Sequence, residues 1–555
     1  MPEDLTIRPV NGSHVAKLFE ETAHAHPDLP FISSRPDGGG EFVDQSYGDV
    51  LAQVEQLRSL YRVAGWGAGT RVALLIGNRP SFHVHHLALN GLGVSIVPLN
   101  PDARPNEMLY AIEHSEAALV VVAPGCKPAL DAVLSIAGEP PAVIDAETPE
   151  PSIPTAPVRA TQIEPGPDDE AAILYTSGTT GLPKGCILSN RYFVESATRY
   201  AGWDGLVSLL HGEERLLNPL PLFHMNNLVV STTAMMLRAG CTVMIERFSP
   251  SSWWVDCRES RATLIHYLGV MPALLLARPV APDECDHKIR AGIGAGVDPK
   301  HHAAFEARFG FPLLELWGMT EVGSGFIDAM EPRQVGTRAF GRPDARLEAR
   351  IVDDRMQDLP RGVAGELLVR SGGDDPRLGF FSGYLKDEAA TCSVWHEDWF
   401  RTGDVVTQDE SGMLHFVDRK KNIVRRSGEN IAAAEVEACL QSHPDVLQAA
   451  VIAMPDELRE EEVFACVVMR DGIKASDVVA RTLFDWTMER LVYFKAPGYV
   501  CFRKELPTTG TQKIQKGQIF AQGEDPLTLP QTHDLRNLKR RSSERSTQPN
   551  STATA

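Results

Sequence analysis

The densest concentration of groups able to handle phosphate is the run Thr176-Ser177-Gly178-Thr179-Thr180-Gly181-Leu182-Pro183-Lys184-Gly185. Its glycines free the backbone to turn N–H groups inward, its hydroxyls add donors, and Lys184 supplies a point charge. That combination suits phosphate oxygens. The run follows the apolar stretch Ala171-Ala172-Ile173-Leu174, which reads as a strand that ends at the loop. A Walker A loop requires G-x4-G-K-[ST]. Here two residues separate Gly178 from Gly181, and Lys184 is followed by glycine, so the ordinary P-loop NTPase reading fails on spacing.

The same loop closely resembles the signature loop of the acyl-adenylate-forming superfamily: acyl-CoA synthetases, adenylation domains of peptide synthetases, and luciferases. The resemblance runs from Gln45-Ser-Tyr-Gly-Asp49 to Lys516 and rests on several motifs in the family's order. Gly93-Val-Ser-Ile-Val-Pro-Leu-Asn-Pro101 is similar to its early strand and turn. Pro221-Leu-Phe-His224 resembles the segment that gates the acyl pocket, and Trp317-Gly318-Met319-Thr320-Glu321 resembles Y-G-x-T-E with Trp for Tyr. Arg401-Thr-Gly-Asp404, Asp418-Arg419 and Ser427-Gly428-Glu429-Asn-Ile431 match three more. Leu506-Pro-Thr-Thr-Gly-Thr-Gln-Lys513 resembles P-x-T-x-x-G-K.

The resemblance implies an acid–CoA ligase: acid and ATP give acyl-AMP and pyrophosphate, then the CoA thiol takes the acyl group and AMP leaves. Delivery to a carrier protein is the alternative, and a non-catalytic nucleotide-binding relic is a third reading. ATP/AMP contacts are implied for Thr176, Ser177, Gly178, Thr179, Thr180, Gly181, Lys184, Gly294, Ala295, Gly296, Trp317, Gly318, Met319, Asp404 and Arg419. Catalytic parts fall to Lys513, Thr320, Glu321 and His224, with Glu321 holding Mg2+. Asp404 and Arg419 would meet the ribose, and Trp317 would offer a face to adenine. Ser427, Gly428 and Glu429 belong to the CoA side, and Lys421 is the implied hinge of a mobile small domain. Lys516 is a fallback for Lys513 with the wrong spacing from Pro507. Two departures stand out: Gln512 replaces the glycine before the lysine, and Asn422 occupies a position that is often acidic.

His224 is open to two readings, a satisfied core histidine or a residue between acyl pocket and pantetheine tunnel. Asn226 and Asn227 either polarise the pocket mouth or cap a helix. With Thr511-Gln512-Lys513, this segment suggests a short or medium polar acid of the kind used by carnitine and crotonobetaine CoA ligases.

Positioning these groups requires a layered α/β frame. Arg71–Ile76, Val94–Pro98 and Leu119–Val122 read as buried strands around a helix at Phe82–Leu92. A second series has strands at Ala171–Tyr175, Val243–Ile245 and Leu264–Leu268. Such alternation predicts βαβ units and a parallel sheet covered on both faces. Gly138 to Gly166, dense in Pro, reads as an exposed connector. After Phe340 short alternating strands predict a β-rich subdomain. Residues 1–420 are expected to form the AMP-binding domain. Residues 421–523 would form a small mobile α+β domain, with helices near Ala433–His443 and Ser476–Leu491 and strands at Ala449–Met454 and Val463–Met469. Residues 524–555, rich in Pro, Thr and Ser, are expected to be a disordered tail.

Composition narrows the partners. The 54 Lys+Arg against 73 Asp+Glu give a net charge of −19, which argues against a general nucleic-acid binder while leaving small anions to local site chemistry. The 9 cysteines form no C-x-x-C pair, which fits a reducing compartment. The N-terminus lacks a basic start and an apolar run, and no stretch is long enough to span a bilayer. A cytoplasmic location is expected; oligomeric state is not legible.

Overall fold

The computed structural model describes residues 14–36, 39–157, 163–176, 183–426, 429–456, 459–491, 493–508, 514–521 and 523–539. It is a mixed α/β structure that divides into two compact units. One comprises residues 1–350, 368–402 and 408–415; the other comprises 351–367, 403–407 and 416–555.

In chain order the strands of the first unit begin with β1 (Pro30–Ser34), β2 (Val43–Ser46), β3 (Arg71–Leu75), β4 (Ser95–Pro98), β5 (Leu119–Val122) and β6 (Ala142–Asp145). They continue with β7 (Glu170–Thr176), β8 (Lys184–Ser189), β9 (Arg215–Leu217), β10 (Cys241–Met244), β11 (Leu264–Leu268), β12 (Ala291–Ala295), β13 (Leu313–Gly318) and β14 (Gly325–Ile327). The β-rich segment expected after Phe340 supplies β15 (Leu347–Val352), β16 (Gly365–Ser371), β17 (Gly383–Tyr384), β18 (Trp395–His396), β19 (Trp399–Gln408) and β20 (Leu414–Arg419), whose residues are divided between the units.

Among the described residues, one sheet runs β17-β8-β7-β4-β3-β5-β6 and a second runs β14-β13-β12-β11-β9-β10-β1-β2. The predicted parallel order holds where strands are apolar throughout: β3 pairs in parallel with β4 and β5, and Val72, Ala73, Leu74 and Leu75 are all fully buried. Two features depart from expectation. β7 turns back into an antiparallel partner, β8, and the Pro-rich stretch after Gly138 contains β6, which adds in parallel to β5. That stretch is also tied down by the Trp66 indole N–H, which donates to the Pro154 carbonyl at 2.8 Å.

The helix Pro80–Asn90 buries His83, His85 and His86 together. His85 meets the Tyr61 hydroxyl at 2.9 Å and the Ala146 carbonyl at 3.3 Å. Among the described residues the ring nitrogens of His83 and His86 have no hydrogen-bond partner. Burial pushes the three down to about 4, 4 and 3, so all are neutral near pH 7.

The second unit contains β21 (Ile423–Arg426), β22 (Glu429–Ala432), β23 (Val446–Asp456), β24 (Glu460–Met469), β25 (Tyr499–Phe502) and β26 (Thr532–Asp534), in the order β22-β21-β24-β25-β26 with β23 also on β24. Helices Ala433–Gln441 and Asp477–Arg490 cover it through Val436, Leu440, Leu483 and Phe484. No helix among the described residues is long and apolar enough to cross a membrane.

The tail expectation is corrected here over residues 524–539. β26 pairs antiparallel with β25, and Leu535 joins the core, with Leu538 packed against it. Lys539 is drawn inside by charge: its Nζ lies 2.5 Å from Glu462 Oε1 and donates to the Phe494 carbonyl at 3.1 Å. Arg426 Nε meets the two oxygens of Glu462 at 3.0 and 2.8 Å. Two cations therefore share one buried carboxylate, and removing one partner is costly. Lys539→Ala is expected to destabilise this unit by about 3–5 kcal/mol, read by urea titration with hydrogen exchange in β24. Exchange unchanged from the parent would count against this anchoring.

Candidate active site

The phosphate loop is a β-hairpin connection. Thr176, the last residue of β7, is in register with Lys184, the first of β8, so the two described ends of the loop are fixed side by side. Ser177, Gly178, Thr179, Thr180 and Gly181 lie outside the described residues. Lys184 Nζ sits 4.8 Å from the centre of the Tyr384 ring and 3.8 Å from Asp387 Oδ2. Tyr384 is the residue that joins the site: its hydroxyl donates to Glu321 Oε1 at 2.8 Å. Burial and the Glu321 charge push its phenol well up, so it remains a donor. Lys184 and Glu321, 137 positions apart, thus meet on one tyrosine.

Thr320 and Glu321 follow β13 in the turn to β14. Tyr192 on helix Asn190–Ala201 donates to the Thr320 carbonyl at 2.6 Å, and the Phe381 N–H donates to the Glu321 carbonyl at 3.0 Å. The turn requires Gly323: its φ is +68°, and a Cβ there would lie 2.4 Å from the Gly379 carbonyl oxygen. Glu321 is 8% exposed, so its carboxylate is held at one place. A single rigid carboxylate fits Mg2+, which takes one or two carboxylates together with substrate phosphates.

Gly294 and Ala295 end β12, and Gly296 follows in the turn. A side chain at Gly294 would collide with the Tyr267 ring at 2.6 Å. The turn after it is held by Glu315, whose two oxygens accept from the Gly296 and Val297 N–H groups at 2.9 and 3.1 Å and whose Oε1 also accepts from the Tyr267 hydroxyl at 2.6 Å. Trp317 is 6% exposed and packs with Phe326 and Phe340, at ring separations of 5.5 and 6.2 Å. Those two rings are 6.3 Å from each other, so they do not cover opposite faces of the indole. Gly318 is exposed and Met319 half-buried in the turn beyond.

Helix Asn190–Ala201, the π-helical turn Asn226–Ser231 and β13 bound a small pocket of about 30 Å3, partly open to solvent, with Tyr200, Trp203, Met225, Asn226, Val230 and Leu316 in its wall. His224 packs against Phe223 with ring centres 4.6 Å apart, just before that turn. Asn227 is buried and donates to the Leu220 carbonyl at 2.6 Å. Of the two asparagines, Asn226 is at the pocket.

In the second unit Asp404 is 1% exposed and lies 2.7 Å from Arg419 Nε, so the two residues expected at the ribose are adjacent. The end of β20 and the turn after it are fastened on both sides of Arg419. Asp418 accepts from the Ala434 N–H at 2.8 Å, and Lys420 Nζ sits 2.7 Å from Glu366 and 3.0 Å from Asp354. Asn422 Nδ2 donates to Asp418 Oδ1 at 3.2 Å, a bond that an acid at this position would replace with repulsion. Lys421 lies in the turn Lys420–Asn422 and Glu429 in β22. Ser427, Gly428 and Lys513 fall outside the described residues.

Tyr384, Tyr192, Asp387 and Glu315 were not singled out by their sequence. Tyr384 and Asp387 do follow Gly383 in a short polar-aromatic segment, but nothing in that segment names their partners.

Residues 19–385 match the AMP-binding enzyme family and residues 435–513 the AMP-binding enzyme C-terminal domain. The chain is 31% identical to a sulfoacetate–CoA ligase of Cupriavidus necator over 91% of its own length and 97% of that enzyme. It is 29% identical to a crotonobetaine/carnitine–CoA ligase of Proteus mirabilis, covering 92% and 99%. Among solved structures it is similar to ATP-bound MatB from Rhodopseudomonas palustris, with a TM-score of 0.75, 25% identity, and coverage of 90% of this chain and 97% of that one.

Proposed function

Because the chain belongs to the AMP-binding enzyme family and is an AMP-forming acyl-CoA ligase, we propose that it joins a carboxylic acid to ATP as an acyl adenylate, releasing pyrophosphate, and then transfers the acyl group to CoA with loss of AMP. The observation that supports this most is the meeting of Lys184 and Glu321 on Tyr384, which sets a cation and a carboxylate at the mouth of the glycine-threonine hairpin.

The chemistry brings a carboxylate to the α-phosphorus of ATP, so the site must neutralise two anions and align them. In our reading the backbone and hydroxyls of Thr176 to Gly181 cradle the phosphates, with Lys184 adding a positive charge. Thr320 meets the α-phosphate. Glu321 would hold Mg2+, which when bound offsets phosphate charge. Asp404 accepts from the ribose hydroxyls and Arg419 steadies it. Lys513 brings an ammonium to the attacking carboxylate and the α-phosphate, and a pivot at Lys421 exchanges it for the Ser427-Gly428-Glu429 segment, where CoA enters. A reducing, cytoplasmic setting belongs to the same reading and rests on 9 cysteines with no C-x-x-C pair.

The test is acid-dependent release of AMP and pyrophosphate with CoA consumed in equal amount. Release of AMP without consumption of free CoA would instead favour a carrier-protein acceptor. No pyrophosphate exchange with any acid would contradict adenylation altogether.

A further inference from the structure

Among the described residues the pocket wall contains no charged side chain, and Asn226 is its side-chain amide. The direction of that amide follows from a backbone group. The Leu220 N–H donates to Asn218 Oδ1 at 3.0 Å, which makes Asn218 Nδ2 the donor to its other partners. Its shorter partners are Asn226 Oδ1 at 2.9 Å and the Ser231 hydroxyl at 2.9 Å, with His266 Nδ1 farther away at 3.4 Å. Asn226 Oδ1 also lies 2.7 Å from His266 Nδ1, which must therefore carry the proton. His266 Nε2 is left to accept from the Tyr200 hydroxyl at 2.7 Å. His266 is fully buried and kept neutral by that burial. The Oδ1 of Asn226 is turned to this network, none of whose members except Tyr200 lines the pocket, and from this we infer that its Nδ2 is the amide atom available to the pocket.

We propose that this pocket selects a monocarboxylic acid whose acyl part is uncharged and bears one hydrogen-bond acceptor, met by the Asn226 N–H, on a body compact enough to lie against Trp203 and Tyr200. The proposal rests on the ligase reading above and deepens it. Among the described residues of the wall a second anion in the acyl group finds no cation, and a fixed cation finds no carboxylate while facing the positive end of the Asn226 amide. Either would be desolvated without a partner. An acyl group lacking the acceptor leaves the amide N–H unpaired, the kind of mismatch that discriminates strongly.

AMP release is measured for acids matched in shape: methoxyacetate against butanoate, and a methoxybenzoate against the ethylbenzoate of the same substitution pattern. Sulfoacetate and a trimethylammonium acid serve as charged controls. The acceptor-bearing member of at least one pair is expected to have the higher kcat/KM by about 10-fold or more. Asn226→Leu brings that ratio to about one, and Asn226→Asp, which accepts where the parent donates, lowers it as well. Because each ratio is internal to one variant, a loss of folded protein leaves it unchanged. Equal ratios in the parent and Asn226→Leu, or a charged control as the best acid, would overturn the proposal while leaving the ligase reading intact. Failure of every acid to release AMP would overturn both.

Discussion

Glu321→Ala is expected to lower acid-dependent AMP release by about 10²–10³-fold, with Tyr384→Phe losing about 10-fold. The carboxylate is buried at the end of β13, its backbone is fixed by the Phe381 N–H, and its Oε1 is held by Tyr384. Removing it takes away the oxygen ligand proposed for Mg2+ and leaves phosphate charge uncompensated where it develops. Tyr384→Phe keeps the carboxylate but frees its orientation, so the Mg2+ concentration for half-maximal rate should rise while the acid KM changes little. A Glu321→Ala enzyme with parental AMP release would remove Glu321 from the chemistry. An unchanged Mg2+ dependence in Tyr384→Phe would reduce the tyrosine to packing.

The second large effect is on stability in acid. His83, His85 and His86 have folded-state values of about 4, 4 and 3 against an unfolded value near 6.5. A base whose folded value is lowered binds more protons when unfolded, so stability is lost as pH falls through 6.5 toward 4. By pH 5 each group contributes a loss of about 2 kcal/mol relative to neutral pH, on the order of 6 kcal/mol for the helix Pro80–Asn90. That is comparable to the whole stability of a typical domain. Equilibrium unfolding at pH 7 and pH 5 checks it, and His83→Leu with His86→Leu should flatten the slope by more than half. A parental slope in that double variant would contradict the account.

What could be read beforehand followed from local chemistry. The strands β3 to β5 announce themselves because residues buried on both faces must be apolar throughout. The hairpin loop is conspicuous because glycines, hydroxyls and a lysine crowd one turn. Asp404 and Arg419 stand in short motifs and prove to be adjacent. The missed parts depend on distant pairings. Tyr384 gains its importance from Lys184 and Glu321, and Glu315 looks like an ordinary strand residue until the Gly296 turn folds onto it. The tail to Lys539 was misread for a related reason: its average composition is polar, yet Leu535, Leu538 and one buried ion pair suffice to dock it. Asn226 stayed ambiguous because its direction is set through Asn218, by the Leu220 backbone.

The central claim is that one ammonium group, that of Lys513, serves adenylation and not thioester formation. The two half-reactions of Lys513→Met separate it most directly. The account predicts that acyl-adenylate formation from acid and ATP falls by about 10²–10³-fold, while transfer from preformed acyl-AMP to CoA stays within a few-fold of the parent. Adenylate formation at the parental rate, or an equal loss in both halves, would contradict it.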